Sequence, residues 1–332
     1  MFNTVAIGQT EVSGVIFRQT PPVLAIVLPC YNEQEVLPET FRRLRILLAD
    51  LIERAAIHAD SCAWLVDDGS RDATWRLISG ASTAPGSPFR GIKLSRNRGH
   101  QIALLAGLMS ASGDVLISVD ADLQDDLNVI PTMLREFATG HDIVYGVRSD
   151  RPHDSRFKRT TAAWFYSVMR WLGADSLANH ADYRLMSRRS IEALKLFGEV
   201  NLFLRGLVPL IGFRSAIVEY ERQERFAGST KYPVRKMVSL ALDAITSFSI
   251  VPLRLITAIG FTVFAFSAAM VAWTLWVRFF SHEALPGWTS TTLPIYLLGG
   301  LQILCLGVIG EYLGKMYREA KHRPRYIIEK CL

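Results

Sequence analysis

The stretch Val115–Asp126, VLISVDADLQDD, joins a short apolar run to four carboxylates. The run Val115–Val119 has the composition of a strand that is buried on both faces of a parallel sheet. Asp120 and Asp122 follow it directly, and Gln124 stands two residues further on. Open α/β sheets bind ligands outside the carboxyl ends of their strands, so the end of this strand is a candidate binding site.

Similar apolar runs recur on both sides of this stretch. They end in polar residues and are separated by segments with apolar residues at helical spacing. Predicted strands are Val23–Leu28, Ala63–Val66, Phe89–Leu94 and Ile143–Val147, with helices over Pro38–Ala56, Asp72–Ile78, Gln101–Ser110 and Ile130–Ala138. Regular alternation of strands and helices predicts a mainly parallel α/β sheet.

A second pair of carboxylates, Asp67 and Asp68, follows the strand Ala63–Val66. The ends of parallel strands meet at one edge of a sheet, so these side chains should lie near Asp120 and Asp122. Clustered carboxylates repel one another unless a cation or hydrogen-bond donors lie among them. Oxygen ligands of this kind suit Mg²⁺ or Mn²⁺, shared with substrate phosphates. For Asp125 and Asp126, a helix-capping role is the alternative.

Two long uncharged runs, Leu255–Val277 and Leu293–Ile309, occupy the C-terminal part of the chain. A bilayer core needs about 20 apolar residues, so the runs predict two transmembrane helices; a pair of buried core helices is the alternative. The connector Phe279–Thr292 contains neither Lys nor Arg, whereas basic residues flank both runs on their outer sides. The positive-inside rule then places the N-terminal domain in the cytoplasm.

The composition narrows the classes of partner. The 332 residues carry a net charge of +6, and the sequence pI is near 9.2. An anionic lipid head group fits this excess better than nucleic acid, because no basic helix with interleaved aromatic residues is present. The four cysteines are scattered and indicate neither a disulfide framework nor a zinc site, and no signal peptide is recognised at the N-terminus.

Seven motifs follow one another in the N-terminal two thirds of the chain. They are VLPCYNEQEVLP, VDDGSRDAT, SRNRGHQIALLAG, VDADLQDD, VYGVRSDR, DYRLMSRRS and RFAGSTKYPVRKM. In this order they resemble the family 2 glycosyltransferases, and more closely the polyprenyl-phosphate glycosyltransferases, which include bactoprenol glucosyltransferases and dolichol-phosphate mannose synthases. The resemblance runs from about Val23 through both uncharged runs. It departs at Asp126-Leu127, where some relatives carry Pro-Pro.

The resemblance implies an α/β fold, with a GT-A (Rossmann-like, mostly parallel sheet) catalytic domain followed by two transmembrane helices. The protein would be a multi-pass protein of the bacterial inner (cytoplasmic) membrane with its catalytic domain in the cytoplasm. The implied division is 1–20 flexible N-terminal tail, 21–235 GT-A domain, 236–253 juxtamembrane amphipathic helix, 254–278 first transmembrane helix, 279–292 periplasmic loop, 293–315 second transmembrane helix and 316–332 basic cytoplasmic tail.

The resemblance also implies roles for individual residues. The nucleotide sugar would be held by Pro29, Tyr31, Asn32, Glu33, Asp67, Asp68, Asn97, Gly99 and Asp120. The metal would be held by Asp120, Asp122 and Gln124. The acceptor phosphate would be held by Arg148, Arg159, Arg225, Ser229 and Lys231. Asp122 and Asp182 would be catalytic, with Asp182 orienting the sugar hydroxyls or the acceptor, or acting as base. A salt bridge with Arg184 is the alternative role for Asp182.

The implied reaction is a metal-dependent, inverting transfer of a hexose, with Mg²⁺ or Mn²⁺ as cofactor. Glucose from UDP-glucose would pass to undecaprenyl phosphate and give a lipid-phosphate sugar for modification of a cell-envelope glycan. The partners would be a nucleotide-diphosphate sugar, a polyprenyl phosphate lipid and the membrane. Small residues in the second uncharged run would also permit a homo-oligomer.

Four alternatives stay open. The donor could be GDP-mannose, UDP-N-acetylglucosamine or a modified sugar. The chain could be a non-catalytic membrane scaffold or transport protein that keeps a transferase domain. A processive polysaccharide synthase would need a Gln-x-x-Arg-Trp motif, but the nearest string, SVMRW, has Ser167 in place of Gln. A phosphotransferase with an Asp nucleophile would need a Thr after Asp122, where Leu123 stands.

Overall fold

The computed structural model describes residues 20–148, 180–199, 204–221, 251–280 and 288–332. Within these ranges the strands form one eight-stranded sheet. The strands are β1 Leu24–Cys30, β2 Cys62–Asp67, β3 Phe89–Leu94, β4 Val115–Ser118, β5 Ile143–Arg148, β6 His180–Ser187, β7 Ser215–Tyr220 and β8 Ile328–Cys331. The helices are α1 Leu37–Glu53, α2 Thr74–Ser82, α3 His100–Ser110, α4 Ile130–Ala138, α5 Arg188–Lys195, α6 Leu204–Leu210, α7 Val251–Phe280 and α8 Trp288–Ala320.

The sheet has the strand order β7-β5-β6-β4-β1-β2-β3-β8. Strands β3, β2, β1 and β4 are parallel neighbours, as the alternating pattern predicts. Strand β6 runs antiparallel between β4 and β5, and β7 pairs parallel with β5. The order reverses at β1, which lies between β2 and β4, and such a reversal opens a crevice at the carboxyl ends of the strands.

Each face of the sheet is covered by its own hydrophobic core. Strand β1 shows why its sequence is continuously apolar: Leu24 and Ile26 pack with α1, α2 and α4, while Ala25 and Val27 pack with α3, α5 and α6. Every residue of β1 is buried. Burial of a large aliphatic side chain stabilises the fold by roughly 1.5–3 kcal/mol.

Helix α3 approaches the sheet closely at Gly107. A methyl group added there would lie 2.3 Å from Cγ1 of Val27 and 2.8 Å from Cγ2 of Val66. The missing side chain therefore sets the distance between α3 and the sheet. This distance matters for the site, because α3 begins at His100, beside the carboxyl ends of the strands.

The predicted membrane crossings are wrong for the part of the chain that the structure describes. Helices α7 and α8 contain 30 and 33 residues, but no described helix combines the length and the apolarity needed to cross a bilayer. Both helices extend beyond the uncharged runs into charged residues, such as Arg254 in α7 and Glu311 in α8. The predicted multi-pass location in the inner membrane depended on these spans and is corrected with them.

The segment 316–332, interpreted from the sequence as a basic tail, contains a strand of the sheet. Strand β8 pairs antiparallel with β3. Nζ of Lys93 lies 2.9 Å from Oε1 of Glu329, and the backbone N–H of Ser95 donates to the carbonyl of Ile327 at 3.0 Å. The end of the chain therefore covers the edge of β3 and supports the loop that follows it.

Candidate active site

One edge of the sheet collects most of the predicted site residues. The parallel strands β1, β2 and β4 end there, followed by Tyr31, Asp68 and Asp120. Strand β6 is antiparallel to β4, so its beginning, with Asp182, lies at the same edge. Strands β5 and β7 end together in the pair Arg148 and Tyr220. Topology thus brings carboxylates and cations from distant parts of the sequence together.

Asp68 holds the loop that follows β3. Its Oδ1 accepts a hydrogen bond from the backbone N–H of Arg98 at 2.7 Å, and its Oδ2 accepts one from Gly99 at 2.8 Å. Gly69 has a φ of +68°, and a Cβ there would lie 2.6 Å from the Asn97 nitrogen. Burial raises the pKa of Asp68, although the two N–H donors oppose the rise. Both oxygens are thus engaged in fixing the Asn97–Gly99 loop.

Asp67 is buried and its carboxylate is only partly satisfied. Its Oδ1 accepts a hydrogen bond from the backbone N–H of Ser70 at 3.1 Å. Its Oδ2 has no hydrogen-bond partner within the described ranges, and burial raises the pKa of the carboxyl group. A buried oxygen without a partner is costly, which favours a ligand that donates a hydrogen bond to it.

The loop after β1 lies beside Asp67. Asn32, at a left-handed φ of 55°, accepts a hydrogen bond from the Arg71 backbone N–H at 2.9 Å. Glu33 donates its backbone N–H to Thr74 at 2.8 Å. The ring of Tyr31 is 42% exposed, so it is available for stacking on a planar ligand. These hydrogen bonds connect the loop after β1 with the segment after β2, so that the two form one wall of the candidate site.

Asp120, which follows β4, lies among other carboxylates. Burial, with the charges of Asp125, Asp182 and Asp122, raises the pKa of Asp120 to about 6, although His100 opposes the rise. Around this turn the backbone N–H of Gln124 donates to Oδ1 of Asp122 at 3.2 Å.

No group of three or more His, Cys, Asp and Glu side chains could hold a metal ion among the residues that the structure describes. Asp120 and Asp122 offer carboxylate oxygens, the ligand type that Mg²⁺ takes in proteins together with water and substrate phosphates.

Asp182 lies at the centre of a cluster of basic side chains. Its Oδ1 is 2.7 Å from Nη2 of buried Arg184, and Arg205 donates to both oxygens at 3.2 Å. Nε2 of His100 lies 3.4 Å from Oδ2 of Asp182 and 3.4 Å from Oδ1 of Asp120. Burial raises the pKa of Asp182, but these three partners have the larger effect and lower the pKa well below its usual range. The salt bridge between Asp182 and Arg184, which was the alternative role for Asp182, is present. Asp182 nevertheless lies at the candidate site, beside His100 and Arg205.

Two residues of this cluster, His100 and Arg205, were missing from the predicted site. His100 directly follows Gly99 in the motif SRNRGHQ, so its position in the sequence was a usable signal. Arg205 lies in α6 without a recognisable motif, and only the packing of α6 brings it to Asp182. Burial lowers the pKa of His100, but the hydrogen bond with Asp182 and the charge of Asp120 raise it more.

Arg148 is the member of the predicted acceptor group that the structure describes; Arg159, Arg225, Ser229 and Lys231 lie outside the described residues. Its Nη2 lies 3.5 Å from Oδ1 of Asp125, and its Nε donates to the hydroxyl of Tyr220 at 3.2 Å. Asp125 is therefore a buried ion-pair partner, and the capping alternative is wrong for it. Capping is confirmed for Asp126, which accepts a hydrogen bond from the backbone N–H of Asn128 at 3.0 Å.

Comparison with known proteins identifies two family models. The model described as "Glycosyl transferase family 2" matches residues 25–195, and the model described as "GtrB C-terminal hairpin" matches residues 251–316. The first match covers the strands and loops that form most of the candidate site. The second covers helix α7 and most of α8.

Two relatives match nearly the whole chain. The "Uncharacterized glycosyltransferase YkoT" of Bacillus subtilis is 49% identical over 314 residues, which cover 94% of this chain and 93% of the relative. The "Prophage bactoprenol glucosyl transferase homolog" of Escherichia coli is 38% identical over 308 residues, which cover 92% of this chain and 98% of the relative.

A mannosyltransferase of Pyrobaculum calidifontis, solved with GDP-Man and Mn²⁺, aligns over 89% of this chain and 88% of its own. The TM-score of this alignment is 0.44 and the sequence identity is 18%. Such a likeness is too low to support a statement about the site. The family match and the near full-length relatives carry the assignment instead. The chain is a glycosyltransferase and belongs to glycosyl transferase family 2.

Proposed function

We propose that this protein transfers glucose from UDP-glucose to a polyprenyl phosphate. The observation that carries the proposal is the meeting of two charge types at one edge of the sheet. Asp120 and Asp122 lie there with the basic side chains of His100, Arg148 and Arg205. A reaction between a nucleoside diphosphate sugar and a phosphate needs both, because two anionic substrates must be held close together. The relatives named bactoprenol glucosyl transferases support the choice of lipid and sugar.

The donor would lie against the wall formed by the loops after β1 and β2. Tyr31 offers an exposed ring to the base. Oδ2 of buried Asp67, which has no hydrogen-bond partner among the described residues, would accept an N–H of the base. Asp68 acts indirectly, by holding the loop Asn97–Gly99 against the same pocket.

The diphosphate would lie beside the aspartates after β4. Asp120 and Asp122, with Gln124 nearby, would hold Mg²⁺ or Mn²⁺ together with the diphosphate oxygens. When bound, such a cation offsets negative charge on the leaving group. The pKa of Asp120, raised to about 6 chiefly by burial, fits this role, because a cation bound there would stabilise the ionised carboxylate.

The acceptor needs positioning more than activation. A phosphate monoester has a second pKa of about 6, so its oxygen is already anionic near neutral pH. That oxygen would form the new bond to the anomeric carbon while the bond from this carbon to the diphosphate breaks. A single in-line displacement inverts the anomeric centre. Arg148 and Arg205 are the described cations that would contact the phosphates.

Asp182 would orient groups rather than accept a proton. Its pKa lies well below the usual range because Arg184, Arg205 and His100 surround it despite its burial. A carboxylate with so low a pKa is a weak base. We therefore assign Asp182 to holding Arg205 and His100 in place beside the reacting groups.

The test is turnover by the purified protein with undecaprenyl phosphate in detergent. UDP-glucose, UDP-galactose, UDP-N-acetylglucosamine and GDP-mannose would each be supplied with Mg²⁺ or Mn²⁺, and the lipid analysed by mass spectrometry. The proposal expects a lipid-phosphate hexose from UDP-glucose that disappears with EDTA or in Asp122→Ala. Product from another donor alone would replace glucose in the proposal. Nucleotide binding without product from any donor would favour the non-catalytic alternative.

A further inference from the structure

A buried polar network connects the aspartate loop after β4 with the ends of β5 and β7. The hydroxyl of Tyr220 donates to Oδ1 of Asp125 and accepts a hydrogen bond from Nε of Arg148 at 3.2 Å. Nη2 of Arg148 lies 3.5 Å from the same Asp125 oxygen. The side chain of Asp125 is fully buried, whereas that of Arg148 is 29% exposed. One edge of the guanidinium group, formed by Nε and Nη2, is thus held by Tyr220 and Asp125.

The ring of Tyr220 is itself fixed. It packs edge-on against the ring of Tyr183, with centroids 5.2 Å apart and an interplanar angle of 88°. Within β7 the other residues are exposed or half-buried, and Tyr220 is the buried member of the strand. Its hydroxyl therefore presents a rigid acceptor to Arg148, which restricts the orientation of a long and otherwise mobile side chain.

The chemistry argues against a purely stabilising purpose. A buried ion pair seldom makes a protein more stable than apolar residues of similar shape would. This network also lies at the edge of the sheet that carries the candidate site, and the charge of Asp120 acts on Arg148. A guanidinium group held on one edge suits two-point binding of a phosphate on the other.

We propose that Asp125 and Tyr220 are positioning residues that orient Arg148 toward the acceptor phosphate. Strand β7 is then part of the active site, although Tyr220 lies outside residues 25–195 that match the family model. This inference rests on the proposed function, because it assigns the phosphate of the acceptor to Arg148.

A double-mutant cycle between Tyr220→Phe and Arg148→Ala tests the inference. Tyr220→Phe removes the hydroxyl and keeps the ring. The loss of hydrogen bonds to charged groups should raise the KM for undecaprenyl phosphate about tenfold, with little change in the Kd for UDP. In the Arg148→Ala background the same substitution should change kcat/KM by less than about twofold, because residues that act through one another are not additive.

Tyr183→Phe is the matched control. It removes a hydroxyl of similar burial, which donates to the carbonyl of Asp126 at 3.0 Å, and leaves the hydrogen bonds of Arg148 intact. Its KM for undecaprenyl phosphate should stay close to the wild-type value, because Phe keeps the ring that packs against Tyr220. An unchanged Kd for UDP shows in each variant that the nucleotide site is folded.

The outcomes separate the two proposals. If the wild-type protein neither turns over nor binds a short-chain prenyl phosphate, the proposed acceptor fails and this inference falls with it. If the wild-type protein is active but Tyr220→Phe has the same KM, only the positioning role is refuted. An equal effect of Tyr220→Phe with and without Arg148 also refutes it, because Tyr220 would then act independently of Arg148.

Discussion

Replacing Asp120 by Asn should make the metal-free protein more stable while it abolishes transfer. Burial and the neighbouring carboxylates raise the pKa of Asp120 from 3.8 to about 6. Each pH unit of such a difference corresponds to about 1.4 kcal/mol, so the ionised carboxylate costs about 3 kcal/mol above pH 6. Its side chain is 31% exposed, and solvent screening reduces this cost to about 1–2 kcal/mol.

The sign of the pH dependence follows from the direction of the pKa change. The folded-state pKa of Asp120 lies above the unfolded value, so its favourable contribution is full below about pH 4 and is lost as the pH rises through 6. The Asn variant carries no such dependence. The stability difference between the two proteins should therefore open between about pH 4 and pH 6 and stay constant above that range.

Thermal unfolding in EDTA measures the difference. At pH 8 the Asp120→Asn protein should melt about 3–6 °C above the wild-type protein, whereas the two should nearly coincide at pH 4. Mg²⁺ with UDP should raise the melting temperature of the wild-type protein only. The reasoning would be refuted if the Asp120→Asn protein melted below the wild-type protein at pH 8, or if the difference in melting temperature were the same at pH 4 and pH 8.

Asp72→Asn is a control of opposite sign. Burial raises the pKa of Asp72, but hydrogen bonds lower it more; its oxygens accept from the backbone N–H groups of Thr74 at 3.0 Å and Gln34 at 3.3 Å. Its contribution to stability is present above the unfolded pKa and is lost as the pH falls. Asp72→Asn should therefore be less stable than the wild-type protein at pH 8.

Three further predictions concern packing and charge. Gly107→Ala places a methyl group 2.3 Å from a Val27 carbon and should lower the free energy of unfolding by about 1–3 kcal/mol, measured in urea; an unchanged midpoint would contradict the close packing of α3. Asp182→Asn leaves the buried cation of Arg184 uncompensated and should cost about 3 kcal/mol. Because the folded pKa of Asp182 is depressed, its contribution is present above the unfolded value, and urea titrations should show the same loss from pH 5 to pH 8. Deletion of residues 323–332 uncovers β3 and should promote self-association in sedimentation experiments, whereas a monodisperse, equally stable product would show that β8 is dispensable.

Strands β1, β2 and β4 were predictable because a strand that is buried along its whole length is mostly apolar. Strand β6 escaped prediction because its sequence, HADYRLMS, contains charged residues. Asp182 and Arg184 compensate each other's charge inside the protein, and a hydropathy pattern does not reveal such a pair. Strand β8 is short and exposed, so only its pairing with β3 distinguishes it from a tail.

The candidate site was predictable where it follows from the ends of parallel strands. Asp67 and Asp120 belong to that group. Arg205 and Tyr220 do not, because their distance from the aspartates depends on which strands pair and on how α6 packs. For Asp125 a local rule suggested a helix cap, but the partners that determine its role come from β5 and β7.

The strand that closes the sheet also bears on how the protein is made. Residues 24–94 leave the ribosome early, yet β3 gains its outer partner only when residues 328–331 have been synthesised. Until then the edge of β3 offers unpaired backbone groups to any other extended chain. A gene product that stops after Met237 would keep every motif of the candidate site and still expose this edge. We therefore expect cellular quality control to degrade such a product, although it contains every residue of the candidate site.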